Sequence, residues 1–187
     1  MEKVYTVVFA LAMAAAAWAT PPKTYLEEDF SGMEFPPPGW TIRGGGTGTW
    51  GWINDSGSAR GDAGANRLES AWTKLYSRPF NVPAMSQVRV KFRYRTRVSG
   101  SPAGLMFYIH VGRWSSYLEE TLGKWYEFDK ILPVFIEGGD VMAGWEIYVG
   151  GGIFGGGGYL WVDDIRITEY NVGVDPTSLG RVKALYR

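Results

Sequence analysis

The residues able to carry covalent chemistry are few. His110 is the only histidine and there is no cysteine, and the sequence holds no Gly-x-Ser-x-Gly elbow, so neither a serine nor a thiol nucleophile has the base it needs. Zinc, which takes several His or Cys ligands, is excluded on the same residues. The glycine run Gly150 to Gly158 lacks the Gly-Lys-Ser/Thr ending of a phosphate loop. Glu119-Glu120 together with Glu127 keep one enzymatic alternative open, a glycan hydrolase with two carboxylates across a cleft. Its opposite is that these acids are solvated.

Three other groupings suit binding. Arg89, Lys91, Arg93, Arg95 and Arg97 recur every second residue, a ridge of cations that either meets an acidic glycan or is neutralised by outward acids such as Glu127, Asp129 and Glu146 on adjoining strands. Trp50, Trp52, Trp114 and Trp125 lie in or beside Gly- and Ser-rich stretches or on an outward face, where an indole offers sugar a flat apolar platform. Arg60-Gly61-Asp62 spells a tripeptide that integrins read, in what the composition presents as a loop; chance is the better account of three residues.

The elements that must position these groups are strands. Apolar and polar residues alternate over Ser86 to Val98, again over Leu105 to Val111 and Trp145 to Val149, the pattern extends to Lys124 to Ile131, and Tyr159 to Thr168 makes a final long strand. Shorter strands are expected over Tyr25 to Phe30, Trp40 to Arg43, Trp50 to Ile53 and Trp72 to Phe80. Breaks fall at Pro36-Pro37-Pro38-Gly39, Gly44 to Gly46, Asn54 to Gly64, Ser99 to Pro102, Gly138-Gly139 and Gly150 to Gly158. Nine or so short strands with spaced turns, 26 glycines and 16% aromatics predict an all-β domain: two antiparallel sheets in a jelly-roll β-sandwich. Residues 1–19, with Lys3, an apolar stretch and Ala17-Trp18-Ala19, read as a signal peptide; residues 20–170 form the domain, and 171–187 a tail or linker. Such a chain is expected outside the cell or at its surface, where without cysteine it has no disulfide brace. Nineteen acids balance nineteen bases, so no global field draws nucleic acid, and the apolar leader is too short to span a bilayer.

Glu28-Asp29-Phe30-Ser31-Gly32 leading to Phe35-Pro36-Pro37-Pro38-Gly39-Trp40, then Leu75-Tyr76-Ser77-Arg78-Pro79-Phe80, then Tyr159-Leu160-Trp161-Val162-Asp163-Asp164-Ile165 stand in an order that resembles the choice-of-anchor J and cleaved-adhesin group, MAM-like jelly-roll domains of secreted bacterial proteins. Arg78, inserted before Pro79, departs from that pattern. The resemblance implies a jelly roll, export, a surface or adhesive role and often a structural calcium. First and last strands side by side would bring Glu28 near Asp163 or Asp164, two carboxylates that with loop carbonyls suit Ca²⁺; Asp55 and Asp62 are further loop candidates. Strict alternation lets only one of Asp163 and Asp164 face such a site unless a bulge intervenes. The expected function is a secreted or surface module that binds glycan or protein ligands without catalysis. The alternatives are the hydrolase above and a structural cell-envelope domain.

Overall fold

The computed structural model describes residues 21–32, 34–53, 57–65, 70–100, 103–133, 135, 137–150 and 156–170. Thirteen strands run through them: β1 Thr24–Glu28, β2 Thr41–Gly45, β3 Thr49–Ile53, β4 Ser58–Ala65, β5 Ala71–Tyr76, β6 Phe80–Val82, β7 Gln87–Gly100, β8 Ala103–Val111, β9 Trp114–Leu118, β10 Tyr126–Ile131, β11 Gly139–Val141, β12 Ala143–Gly150 and β13 Gly156–Tyr170. One sheet has the order β10-β7-β13-β4-β3, with β1 also paired to β13; the other has the order β2-β5-β12-β8-β9; β6 and β11 form a short ribbon. Every pairing is antiparallel. This is the expected β-sandwich of jelly-roll type.

The alternation that predicts the strands also builds the core. Val88, Val90, Phe92, Tyr94 and Thr96 of β7 face Trp145, Ile147 and Val149 of β12 across the interior, all buried, so each sheet hides one face and wets the other. Trp145 is completely buried; its ring stacks on Trp40 at 5.8 Å and meets Phe92 edge-on at 5.7 Å. Phe92 in turn stacks on Phe128 at 4.7 Å. Trp40, Trp145, Phe92 and Phe128 thus form one continuous aromatic column.

Several boundaries differ from the expected ones. The stretch read as a loop from Asn54 to Gly64 contains β4, held between β13 and β3. Its small residues make room rather than a turn: a side chain on Gly61 would sit 2.6 Å from the Trp50 ring, so glycine is required where the indole crosses the strand. Arg60-Gly61-Asp62 is therefore central sheet and not a displayed loop. The last strand begins at Gly156 inside the glycine run, Gly139 opens β11, and Trp114–Leu118 is a strand that was not expected. The stretch expected as one strand over Trp72 to Phe80 is two, β5 and β6, which pair with different partners. Asp55, the proposed leader 1–19 and the tail 171–187 lie outside the described residues.

Candidate functional site

Because both sheets are buried on one side, whatever the domain binds must meet an outer face or a rim. The outer face of the β2-β5-β12-β8-β9 sheet is a grid of three rows, fixed by register. Arg43, Lys74, Glu146, Tyr108 and Tyr117 stand opposite one another in the middle row; Gly45, Trp72, Tyr148 and Met106 form one flanking row, and Thr41, Tyr76, Gly144, His110 and Ser115 the other. Five of these side chains are aromatic phenol or indole rings. Glycines create the space for two of them: a side chain on Gly45 would strike the Trp72 indole at 2.7 Å, and one on Gly144 would press on the Tyr76 ring at 3.2 Å, so both rings lean over strand neighbours that have no side chain.

The polar groups of the grid converge on Glu146. Its Oε2 lies 2.8 Å from Lys74 Nζ and 2.7 Å from His110 Nε2. Burial works to raise the Glu146 carboxyl, but the bonds from His110 and Lys74 and their charge outweigh it and hold the group below its ordinary range. The carboxylate is thus ionised, with both neighbours oriented. Arg43 and Lys74 each lie 5.4 Å from the Tyr76 ring centre. Tyr108 stacks beside His110 at 5.7 Å and lies tilted against Tyr117 at 4.6 Å. The hydrogen bond with Tyr117, then burial, then the neighbouring charges push the Tyr108 hydroxyl up to about 12, so it stays a neutral donor and acceptor. Tyr117 is 64% exposed, and Trp72, Tyr76, Tyr108 and Tyr148 are half-buried: their edges are fixed by packing while part of each ring meets solvent. Such a face can lay sugar rings on aromatic surfaces and hydrogen-bond their hydroxyls to a charged centre.

The four tryptophans singled out from sequence lie elsewhere. Trp50 is 5% exposed and belongs to the core, which overturns its place among the platforms. Trp52 is half-buried against the core, and its Nε1 donates to the Phe30 carbonyl at 3.0 Å. Trp114 packs partly buried against the core, 6.4 Å edge-on to Phe128. Trp125 lies under the guanidinium groups of Arg93 and Arg95, at 5.4 and 5.1 Å. None of the four is on the grid. Trp72, which is, carried a readable signal: Trp72, Lys74 and Tyr76 share one phase, opposite Ala71, Thr73 and Leu75. The hydrolase acids are not brought into a cleft either. Glu127 pairs with Lys91 at 3.1 Å on the other sheet, and Glu119 and Glu120 are exposed after β9.

β1 does lie beside β13, with Glu28 opposite Ile165. Glu28 Oε1 accepts from the Phe30 N–H at 2.9 Å, and burial outweighs that bond to raise its carboxyl. A bulge does intervene at the two aspartates: Asp163 pairs with Arg93 and Arg166 with Lys91, so Asp164 and Ile165 together oppose Phe92 alone, with Asp164 at φ 50°. Both carboxylates then meet one guanidinium, Arg93 Nη2 to Asp163 at 2.7 Å and Arg93 Nε to Asp164 at 2.6 Å. Asp163 also accepts from the Asp164 N–H at 2.9 Å. Among the described residues no three His, Cys, Asp or Glu side chains are gathered to hold a metal ion, and Asp62 lies on β4, on the outer face of the β13 sheet. With Arg93 in place these carboxylates do not fit a calcium cage, and the calcium expectation rests on the resemblance alone.

No family model matches the sequence, and no curated protein matches it. Among solved structures the chain is similar to TmCBM61 in complex with beta-1,4-galactotriose, at 18% identity over 79% of this chain and 99% of that one, with a TM-score of 0.50. It is also similar to the CBM22-1 xylan-binding domain of Paenibacillus barcinonensis Xyn10C, at 15% identity over 83% and 99% of the two chains, with a TM-score of 0.47. At such identities the first of these likenesses shows a shared β-sandwich fold.

Proposed function

We propose that the domain is a carbohydrate-binding module that takes a glycan chain across the outer face of the β2-β5-β12-β8-β9 sheet. The observation that carries this is the grid itself: Trp72, Tyr76, Tyr108, Tyr117 and Tyr148 share one face with an ionised Glu146 oriented by Lys74 and His110. The binding of beta-1,4-galactotriose by TmCBM61 makes short β-linked oligosaccharides the first ligands to try. The role is binding without hydrolysis, at the cell surface or in the medium, and the resemblance to choice-of-anchor J domains adds adhesion to that reading.

The test is calorimetry and affinity electrophoresis against neutral glycans. Binding should fall by about tenfold or more in Trp72→Ala, as expected for an aromatic anchor at an interface centre, with no reducing ends released. Binding that survives in both Trp72→Ala and Tyr148→Ala would overturn it. A calcium brace would require Arg93 to yield one of Asp163 and Asp164. A melting midpoint raised by added calcium in the wild type and not in Glu28→Gln would place calcium there, and an unchanged midpoint would remove it.

A further inference from the structure

The opposite outer face, on the β10-β7-β13-β4-β3 sheet, resolves the ridge of cations into two halves. At one end Arg89 grips Asp129 through Nε at 2.7 Å and Nη2 at 2.6 Å, Lys91 meets Glu127 at 3.1 Å, and Arg93 holds Asp163 and Asp164. That half is neutralised within the protein. At the other end Arg95 and Arg97 form no ion pair with the described residues, and neither does Arg60 on the far side of β13. Register gathers the three: Arg60, Trp161 and Arg95 stand in one row, and Asp62, Tyr159 and Arg97 in the next.

Two of these guanidinium groups lie over rings. Arg95 lies 4.3 Å from the Trp161 ring centre and 5.1 Å from that of Trp125, and Arg60 lies 5.7 Å from that of Tyr159. A cation held over a ring keeps its charge; Arg95 Nε is buried with no hydrogen-bond partner among the described residues. Beside them a concavity of about 390 Å³ is lined by Arg60, Arg97, Ser99, Tyr159 and Trp161. It adjoins a second, of about 450 Å³, through Ser99 and Tyr159. The second exists because Gly64 and Gly157 fall opposite each other in the next row. The two rows hold one carboxylate, Asp62, and three cations. Like charges gathered on a sheet without counter-charge oppose folding, and an anion in the hollow would relieve them through paired N–H donors.

We infer that this hollow is a second binding site, for an acidic polysaccharide, whose carboxylate or sulfate groups engage Arg60 and Arg97 while its chain follows the glycine-floored groove past Tyr159. The site shares no residue with the Trp72 grid, so the two assignments stand or fall separately. The probes are polygalacturonate and dextran sulfate, with a neutral β-1,4-galactan as the uncharged control. Wild-type protein should bind one or both acidic polymers, more weakly as salt rises from about 50 to about 300 mM. The Arg60→Gln/Arg97→Gln double variant should lose about tenfold in that affinity. Trp72→Ala and Arg89→Gln, the latter from the neutralised half, should change it by less than about twofold. Whichever polymer responds identifies the anion. Arg97→Gln alone, at an exposed position, should show a smaller loss with an unchanged melting midpoint, which separates binding from folding. Absence of acidic-polymer binding by folded wild type, affinity unchanged in both variants, or displacement by duplex DNA at equal charge concentration would each overturn the assignment. Loss of neutral-glycan binding in Trp72→Ala alone would leave it intact.

Discussion

Arg93 is the residue on which most local electrostatics depends, because one guanidinium satisfies two aspartates brought together by a bulge. The Asp163 side chain is only 7% exposed, and burial, outweighing the bond from Arg93, already raises its carboxyl. An acid whose folded value is raised costs stability as pH climbs through that value, and the cost vanishes once the group is protonated in both states. Arg93→Met should therefore destabilise by about 1–3 kcal/mol near neutral pH, and the deficit should shrink as pH falls into the ordinary aspartate range. Asp163→Asn, which removes the buried charge instead of its partner, should cost less than Arg93→Met at neutral pH. Chemical denaturation at several pH values measures both, and a deficit in Arg93→Met that grows in acid would contradict this account. Glu146 carries the opposite sign. Its folded value is lowered, so its contribution is complete above the unfolded value and is lost as pH falls through the folded one. Glu146→Gln should be less stable than wild type at neutral pH and converge on it in acid, and glycan binding should weaken with it because Lys74 and His110 lose their common partner.

At the scale of elements, the connection after β9 is held by a reciprocal pair of bonds: the Thr96 N–H donates to Thr121 Oγ1 at 2.8 Å and the Thr121 N–H to Thr96 Oγ1 at 2.7 Å, both buried. Thr121→Val keeps the shape and deletes the hydroxyl, leaving the Thr96 amide without an acceptor, and should cost about 1–3 kcal/mol in the melt; Thr121→Ser should cost less. This lock is invisible in the sequence, where two threonines 25 residues apart carry no pattern. Long strands such as β7 and β12 were legible because one face is wet and the other dry, which writes the period of two directly into the residue types. β4 was not, because the inward face of Ser-Ala-Arg-Gly-Asp-Ala-Gly-Ala is only alanine and glycine: these small residues accommodate Trp50 and the neighbouring backbone, and they carry the same signature as turns. The binding grid was half legible. The outward phase of Tyr108, His110, Glu146 and Tyr148 could be read strand by strand, but only pairing shows that β5, β12, β8 and β9 set those phases side by side. Trp50 misleads for a related reason, since glycine beside an indole signals either an exposed platform or, as at Gly61 under Trp50, a ring too large for its neighbour to have a side chain.

In the whole molecule, two chemically distinct faces are separated by a single interior. The Trp72 grid presents neutral rings around a compensated charge centre, whereas the hollow beside Arg60 and Arg97 presents uncompensated charge next to a half-buried Tyr159 and a buried Trp161. Between them lies a close-packed core in which Trp145, Ile147, Leu160 and Val162 are fully buried, and such interiors pass on a change only if they have a second packing to adopt. Nothing in the register offers one, because a one-residue slip of β12 or β13 would turn the core side chains out to solvent. The two faces should therefore act independently. The affinity for neutral galactan measured with and without saturating acidic polymer should agree to within about twofold, and the losses from Trp72→Ala and from Arg60→Gln/Arg97→Gln should add in the triple variant to within about 0.5 kcal/mol. A larger coupling energy would mean that the sheets shift against each other on binding. In that event Trp145→Phe, which loosens the column joining Trp40 to Phe92, should change the coupling, while leaving each site's own residues untouched.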